Sequence, residues 1–366
     1  MKNKINIMYV RELYNKVLNL LEKINFENLW RGFYGYKFAL YTSKEVFFED
    51  EVISWDNRFI GNTAIKYNDR YIAIWNIEHD LLNGNVDIDI LTANLVHEMF
   101  HAYQYENKET RFPRDLVTLD YPYNVYNFCL KYEENKLLSK AFYESNLTVK
   151  RQLLEKFYSI RINRQQIIGD MCKCEFLSET SEGIAEYVGT MALKHLSEEK
   201  YTERMKKYTE HLYNFSQLHL DIRRISYYSG AVFLVVAHDL GINFEHSISE
   251  QEKTIFEVIT DRFEYIKIDD LQLETALIEK AINDNIAYKK DLIDNYMKSS
   301  EKIAIKGDFY ISGYDPMNMI KLDNKILCKT FISLTDIKTN EKNIYMGETL
   351  LEMKSGTVDK VICYYR

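Results

Sequence analysis

Two histidines four residues apart, in the stretch His97-Glu98-Met99-Phe100-His101, constrain this chain more than any other feature. Residues four apart on a helix lie on the same face, so both imidazoles can reach one metal ion. The carboxylate of Glu98, between them, then faces the remaining coordination position. The stretch therefore predicts a helix, at about residues 88–105, that carries a metal site.

The residues around the two histidines indicate that this helix is buried. At about 100° per residue, apolar side chains cover most of its circumference, and the polar side chains share one remaining sector. The polar sector holds Asn94, His97, Glu98, His101, Gln104 and Tyr105. Buried polar groups need partners, and a metal ion would supply one. The alternatives are surface histidines on a half-exposed helix, or core histidines bonded to backbone carbonyls.

A second informative stretch lies on a predicted helix at about residues 173–196. Its four glutamates share one stripe of that helix: Glu175, Glu179, Glu182 and Glu186. Like charges one turn apart repel, so such a stripe faces either solvent or cations. The small residues Gly183, Ala185 and Gly189 beside it favour a buried stripe, because a glycine inside a helix costs about 1 kcal/mol and usually allows another backbone to approach. We therefore expect at least one of these glutamates to face the metal.

The rest of the chain predicts an α+β protein that is mostly helical. Aromatic and β-branched residues between about 29 and 77 predict a small, largely antiparallel N-terminal sheet, with a hairpin turn at Asn68-Asp69. Two long helices at about 123–170 look like an insert between the two halves of the site. Extended patterns after residue 301 predict a small β-rich C-terminal region of unknown role.

Composition excludes some classes of partner. The chain has 47 Lys+Arg against 55 Asp+Glu, a net charge of -8, which argues against a nucleic-acid partner. The most apolar run, residues 230–237, is too short to cross a bilayer, and the N-terminal stretch predicts an amphipathic helix rather than a signal peptide. Five cysteines without a secretory signal suggest reduced thiols and a cytoplasmic protein without membrane partners. Cys172 and Cys174 could form half a metal site, but no second close pair completes it.

The two stretches together resemble the gluzincin metallopeptidases, the group that contains thermolysin-like and aminopeptidase-like enzymes. The resemblance rests on His97-Glu98-x-x-His101, followed on a later helix by Glu182-Gly183-Ile184-Ala185-Glu186-Tyr187. It covers about residues 63–241. We expect a zincin-like catalytic domain over residues 1–300 and, from the extended patterns, a small β-rich appendage over residues 301–366. The resemblance also implies one Zn²⁺ ion held by His97, His101 and Glu182, since the glutamate directly before the glycine is the third ligand in the aminopeptidase-like branch.

The same resemblance suggests roles for further residues. Glu186 would be the alternative ligand or an outer partner, and Glu179 could orient a histidine. Tyr227, three residues before Gly230, would donate to the oxyanion, with Tyr228 as the alternative. The group also suggests that an edge strand, Tyr71 to Ile77, binds an extended peptide by strand addition. Arg223 and Arg224 could bind a substrate carboxylate, although a solvated helix end is the simpler expectation for both.

The implied activity is zinc-dependent hydrolysis of a peptide or protein substrate. Two imidazoles and one carboxylate leave zinc an open position for water, and Glu98 can move the water's proton to a leaving amine. The chain departs from the pattern of these enzymes in three features. The gap from His101 to Glu182 is 81 residues long, and no glycine-rich exopeptidase strand precedes His97. Asn107 stands where the metzincins have a third histidine. The alternatives are a zinc-containing binding or regulatory module, and a zinc hydrolase with a non-peptide substrate. The oligomeric state stays open.

Overall fold

The structure is a computed structural model that describes residues 7–84, 86–245, 248, 252–268, 271–299 and 302–366. It has the predicted α+β composition, with a sheet near each end and helices between them. The helices are α1 (Ile7–Leu21), α2 (Glu78–Leu82), α3 (Ile88–Glu106), α4 (Asp115–Thr118), α5 (Val125–Tyr143), α6 (Leu147–Ile168), α7 (Met171–Ser178), α8 (Ile184–Leu196), α9 (Glu198–Tyr213), α10 (Ile222–Asp239), α11 (Ile255–Ile259) and α12 (Thr275–Lys298). Residues 1–6 of the predicted N-terminal helix lie outside the described residues.

The N-terminal sheet has five strands in the order β3-β2-β1-β5-β4. These strands are β1 (Phe38–Tyr41), β2 (Glu45–Phe48), β3 (Glu51–Ser54), β4 (Thr63–Tyr67) and β5 (Arg70–Asn76). The β1–β5 pair is parallel and the other pairs are antiparallel, so the sheet is mixed. The predicted turn at Asn68-Asp69 joins β4 to β5, and both residues have positive φ, as a tight hairpin turn requires.

The prediction of an edge strand at Tyr71 to Ile77 is wrong. β5 lies inside the sheet because it pairs with β4 on one side and, in parallel, with β1 on the other. The strand at this end of the sheet is β4. Strand addition by a peptide would therefore have to use an edge strand, β4 or, at the opposite end of the sheet, β3.

Helix α3 begins where the sequence predicts and is buried along most of its length. Asp87 caps it by accepting from the backbone amides of Asp89 and Ile90, which satisfies the first free donors of the helix. Its apolar faces pack in the main hydrophobic core, against α1, β5 and α8. His97, Glu98 and His101 are each only 7% exposed, which excludes the half-exposed surface alternative.

The predicted glutamate helix is continuous in direction but not regular. α7 and α8 are joined by one π-helical turn, Glu179–Gly183. A π turn holds an extra residue, so residues after it are rotated about the axis relative to those before it. The four glutamates therefore divide into two pairs that face different parts of the protein.

The C-terminal region is a seven-stranded antiparallel sheet in the order β10-β9-β6-β12-β11-β8-β7. Its strands are β6 (Ala304–Tyr314), β7 (Met319–Leu322), β8 (Lys325–Cys328), β9 (Phe331–Asp336), β10 (Lys342–Met346), β11 (Thr349–Met353) and β12 (Lys360–Tyr365). Helix α12 joins it to the helical part: Ile278 and Ile282 pack with α5, whereas Ile293 and Tyr296 pack on the sheet. No helix in the described ranges is both long and apolar enough to span a bilayer.

Candidate metal centre

The structure brings the two histidines of α3 and Glu182 together. The Nε2 atoms of His97 and His101 are 3.1 Å apart, and Glu182 Oε2 lies 3.1 Å from His101 Nε2 and 3.7 Å from His97 Nε2. Ligand atoms about 2.0–2.1 Å from a tetrahedral zinc ion lie about 3.3 Å from one another. The three atoms therefore form a triangle of the size that one face of such a site requires.

Glu98 lies beside this triangle. One oxygen of its carboxylate and one nitrogen of each histidine lie within 4.8 Å of one another, so these three groups could also hold a metal ion. Glu182 Oε2, at 3.1 and 3.7 Å from the two Nε2 atoms, is the carboxylate oxygen of the triangle described above. Glu98 and His97 also line a cavity of about 250 Å³. The Glu98 carboxylate hydrogen-bonds no residue in the part of the chain that the structure describes, which leaves it available to a ligand in that cavity.

The outward-facing nitrogens of both imidazoles are occupied. His97 Nδ1 lies 3.0 Å from Glu186 Oε2, and His101 Nδ1 lies 2.7 Å from Gln104 Oε1. Each oxygen accepts a hydrogen bond from the Nδ1–H group of its histidine, and this leaves both Nε2 atoms directed at the triangle. Gln104 Nε2 in turn donates to the carbonyl oxygen of Ser181 at 3.2 Å, which fixes the amide orientation. The arrangement directs both Nε2 atoms to one point, where they could hold a metal ion.

Glu182 is held by an arginine. Arg223 donates to Glu182 Oε1 at 2.6 Å and also bonds the carboxylate of Asp115. Because Oε1 is occupied, Oε2 is the oxygen left for the triangle. The side chain of Arg223 is only 13% exposed, so the expectation of a solvated helix end is wrong for this residue. Arg224 is 41% exposed and pairs with Asp221 at 2.9 Å, so for this residue a largely solvated side chain is correct.

Electrostatics at the site follow from burial and from these contacts. Burial opposes ionisation of Glu182, but Arg223 and His101 hold the pKa of its carboxyl well below the usual value. Burial opposes the charged form of His97 too, yet Glu182 and Glu186 raise its pKa to about 10. Burial raises the pKa of Glu98, whose carboxyl lies close to other carboxylates. The raised pKa of His97 means that a cation binding at its Nε2 atom would compete with a proton.

Tyr227 and Tyr228 occupy different positions. The ring of Tyr227 stacks on His97, with centroids 5.8 Å apart and planes 4° from parallel. Burial and the neighbouring Glu182 raise the pKa of the Tyr227 hydroxyl well above its usual value, so it stays a hydrogen-bond donor. Tyr228 packs on Tyr208 and His211 instead, with ring centroids 4.8 and 5.1 Å away. Both tyrosines line the cavity, and Tyr227 is the one that stacks on a histidine of the triangle.

The other two glutamates of the stripe do not face the metal. Glu175 and Glu179 belong to a fully buried ion cluster that also contains residues of the helical insert. Its members are Lys131, Glu134, Arg161, Arg164, Glu175 and Glu179. Glu179 accepts from Arg161 at 2.6 and 2.9 Å and from Ser229 Oγ at 2.6 Å. The prediction that Glu179 orients a histidine is therefore wrong, because its oxygens are used by these donors.

Sequence reasoning missed two residues of the site. Gln104 lies one turn after His101 in the polar sector of α3, and this spacing could have identified it as an imidazole partner. Nothing in the local sequence distinguishes Arg223 from Arg224, since the contact of Arg223 with Glu182 joins positions 41 residues apart. Cys172 and Cys174 are buried, free thiols, and neither belongs to the triangle.

Comparison with known proteins adds no relative: no family model, no curated protein and no solved structure matches this chain. The interpretation of the site therefore rests on its own geometry.

Proposed function

We propose that this protein is a zinc-dependent peptide-bond hydrolase of the gluzincin type. The observation that supports this most directly is the triangle of His97 Nε2, His101 Nε2 and Glu182 Oε2, with the carboxylate of Glu98 beside it. Two neutral nitrogens and one carboxylate oxygen are a ligand set of catalytic rather than structural zinc sites. The residues therefore fit one Zn²⁺ ion.

A zinc ion held there would act as a Lewis acid and lower the pKa of a bound water toward neutrality. The remaining roles belong to side chains of this chain. Glu98, which has a raised pKa and no hydrogen-bond partner among the described residues, accepts a proton from water and transfers it to the leaving amine. Tyr227 donates its hydroxyl proton in a hydrogen bond to the oxygen of the attacked carbonyl. Glu186 and Gln104 keep the two imidazoles in the required tautomer and orientation.

Substitution of Glu98 by Gln tests the proposal. Glu98→Gln keeps the shape of the side chain and all three proposed ligands, so it should bind zinc normally. Its turnover should fall by about a thousandfold, the magnitude typical of a lost general base. The measurement is metal content together with cleavage of a broad peptide library, with and without a chelator. Glu203→Gln on the exposed face of α9 is the matched control and should change neither the metal content nor the turnover.

Two results would contradict the proposal. Unchanged turnover by Glu98→Gln would remove Glu98 from the chemistry. A zinc-loaded wild-type protein that cleaves no member of the library would favour a binding or regulatory module, or a hydrolase of another substrate class.

A further inference from the structure

The C-terminal sheet reaches the candidate metal centre through one short loop. This loop, Pro316–Asn318, joins β6 to β7. Met317 lies at its centre and lines the same cavity as His97 and Glu98. The C-terminal sheet therefore contributes Met317 to the wall of this cavity.

The loop is held rigidly by its own sheet. The carboxylate of Asp315 accepts from the backbone N–H of Met317 at 3.0 Å, from Asn318 Nδ2 at 2.8 Å and from Thr330 Oγ1 at 2.9 Å. The backbone N–H of Lys329 donates to the carbonyl oxygen of Asn318 at 2.9 Å. These bonds fix the backbone from which the Met317 side chain projects.

The loop is also fastened to the helices that form the site. Arg224, on α10 one turn before Tyr228, donates to the carbonyl oxygen of Met317. Helix α4 supplies a second connection, since Leu116 packs into the core of the C-terminal sheet and Asp115 bonds Arg223. Lys321 of β7 pairs with Asp120, just after α4, at 2.6 Å. The position of Met317 relative to the metal centre is thus set from both sides.

The walls of the cavity indicate what it accepts. Most of the lining side chains other than the metal-site residues are aromatic or apolar: Trp75, Tyr208, Tyr227, Tyr228 and Met317. The thioether of a methionine makes favourable contacts with aromatic rings, and aromatic pairs add further stabilisation in such surroundings. Glu98, Glu186 and Arg224 also line this space. The guanidinium of Arg224 pairs with Asp221 and donates to the carbonyl oxygen of Met317, so the two carboxylates would repel an acidic group. An uncharged aromatic group fits these walls best.

We propose that the C-terminal sheet forms one wall of the substrate cavity, and that Met317 selects an aromatic side chain of the substrate. The inference rests on the proposed function for its substrate, a peptide, but the cavity itself can be tested without cleavage. Two hydroxamic acids that bind zinc through the same group provide the probes: acetohydroxamic acid with a methyl group, and benzohydroxamic acid with a phenyl ring.

In the zinc-loaded full chain, the wild type should bind benzohydroxamic acid at least about tenfold more tightly than acetohydroxamic acid. Met317→Ala should weaken the binding of benzohydroxamic acid by about fivefold, since its phenyl ring loses the thioether contact. The affinity for acetohydroxamic acid should not change. Met317→Leu, similar in volume, should retain most of the affinity. Met346→Ala, at an exposed position of the same sheet, should change neither affinity.

Peptide kinetics provide the second measurement. Met317→Ala should raise KM for peptides with phenylalanine next to the scissile bond, with kcat unchanged and alanine peptides unaffected. Equal effects of Met317→Ala on both hydroxamic acids, or no effect on either, would overturn the inference. A selective effect on benzohydroxamic acid without cleavage of any peptide would support the cavity wall while contradicting the peptidase.

Discussion

Gly183 and Gly230 contact each other backbone to backbone, where the π turn before α8 crosses α10. A Cβ built on Gly183 would lie 2.8 Å from the Cα of Gly230, and one built on Gly230 would lie 2.6 Å from the Cα of Gly183. No larger residue can occupy either position without moving a helix. The contact brings Glu182, one residue before Gly183, close to Tyr227 on the facing helix.

Gly183→Ala should therefore destabilise the protein by about 2 kcal/mol or more, the effect of overpacking against rigid backbone. A loss of stability would be informative, because substitution of glycine by alanine inside a helix ordinarily stabilises a protein by about 1 kcal/mol. Zinc affinity should fall as well, since Glu182 moves with the helix. Urea unfolding and a zinc competition titration measure the two effects.

Gly241→Ala is the control for this substitution. Gly241, just after the end of α10, has φ +68°, but no atom of the described residues lies within 4 Å of its added Cβ, so only backbone strain of about 1 kcal/mol is expected. Equal or greater stability of Gly183→Ala relative to the wild type would show that the helices are not in contact at this point.

Local patterns were sufficient for the parts of the site that lie within one helix. The spacing of His97 and His101 predicted a shared face, and the glycines beside the glutamate stripe predicted close helix packing. A Cβ built on Gly189 would lie only 2.8 Å from the carbonyl oxygen of Ala93, so α8 and α3 do pack closely at this point. The division of the glutamates could not be predicted in this way. A helix drawn at a constant 100° per residue keeps Glu179 and Glu182 on one stripe, whereas the π turn separates them.

Zinc binding should release about one proton per ion near pH 7.5. In the metal-free protein, Glu182 and Glu186 raise the pKa of His97 to about 10 against the effect of burial, so His97 is protonated at this pH. The proton and the ion compete for the same nitrogen, and affinity should therefore rise about tenfold per pH unit up to that pKa. Calorimetry in two buffers of different ionisation enthalpy gives the number of protons. A value of zero would mean that His97 is already neutral.

Glu186→Ala should lower zinc affinity by about 10- to 100-fold without removing a ligand. Glu186 accepts from His97 Nδ1 at 3.0 Å and is itself held by the Tyr208 hydroxyl. Without this carboxylate, the His97 ring can rotate or adopt the other tautomer. Glu186→Gln should lose less zinc affinity, since its amide oxygen can still accept a hydrogen bond from His97 Nδ1. If Glu186 were the third ligand in place of Glu182, the two variants would lose zinc binding equally, and a Glu182→Gln variant would retain it.

The helical insert is tied to the site by charges whose partners are remote in sequence. Arg161 on α6 bonds both Glu134 on α5 and Glu179 on the π turn. The sequence shows these residues only as charges on amphipathic helices, which normally face water. Because the contacts span 27 and 18 residues, neither can be recognised as a local pattern.

Arg161→Met should destabilise the protein by about 3–5 kcal/mol, since it leaves buried carboxylates without their cation. All the partners of Arg161 are fully buried, so water cannot replace the guanidinium. Arg58→Met is the control, because the Arg58–Asp56 pair is half-exposed and should contribute less than about 1 kcal/mol. Urea unfolding of both variants compares them. Similar, small losses of unfolding free energy in the two variants would show that the buried ion cluster is open to solvent.

His219 should make the protein sensitive to mild acid. Its ring is buried as the neutral form, with Nε2 donating to the carbonyl oxygen of Leu212 and Nδ1 accepting from the backbone N–H of Ser216. Burial is the main reason that its pKa falls to about 4. The unfolded chain, with a histidine pKa of about 6.5, binds more protons between these values, so stability rises with pH across this window and is lost as pH falls.

The loss attributable to His219 should reach about 3 kcal/mol at the acid end of the window. His219→Gln removes the titrating group, so it should be less stable than the wild type at pH 7.5, with a difference that shrinks toward pH 4.5. The free energy of unfolding of both proteins, measured across this range, isolates the contribution of His219 from that of the carboxylates. A difference that does not change with pH would mean that His219 titrates normally in the folded protein.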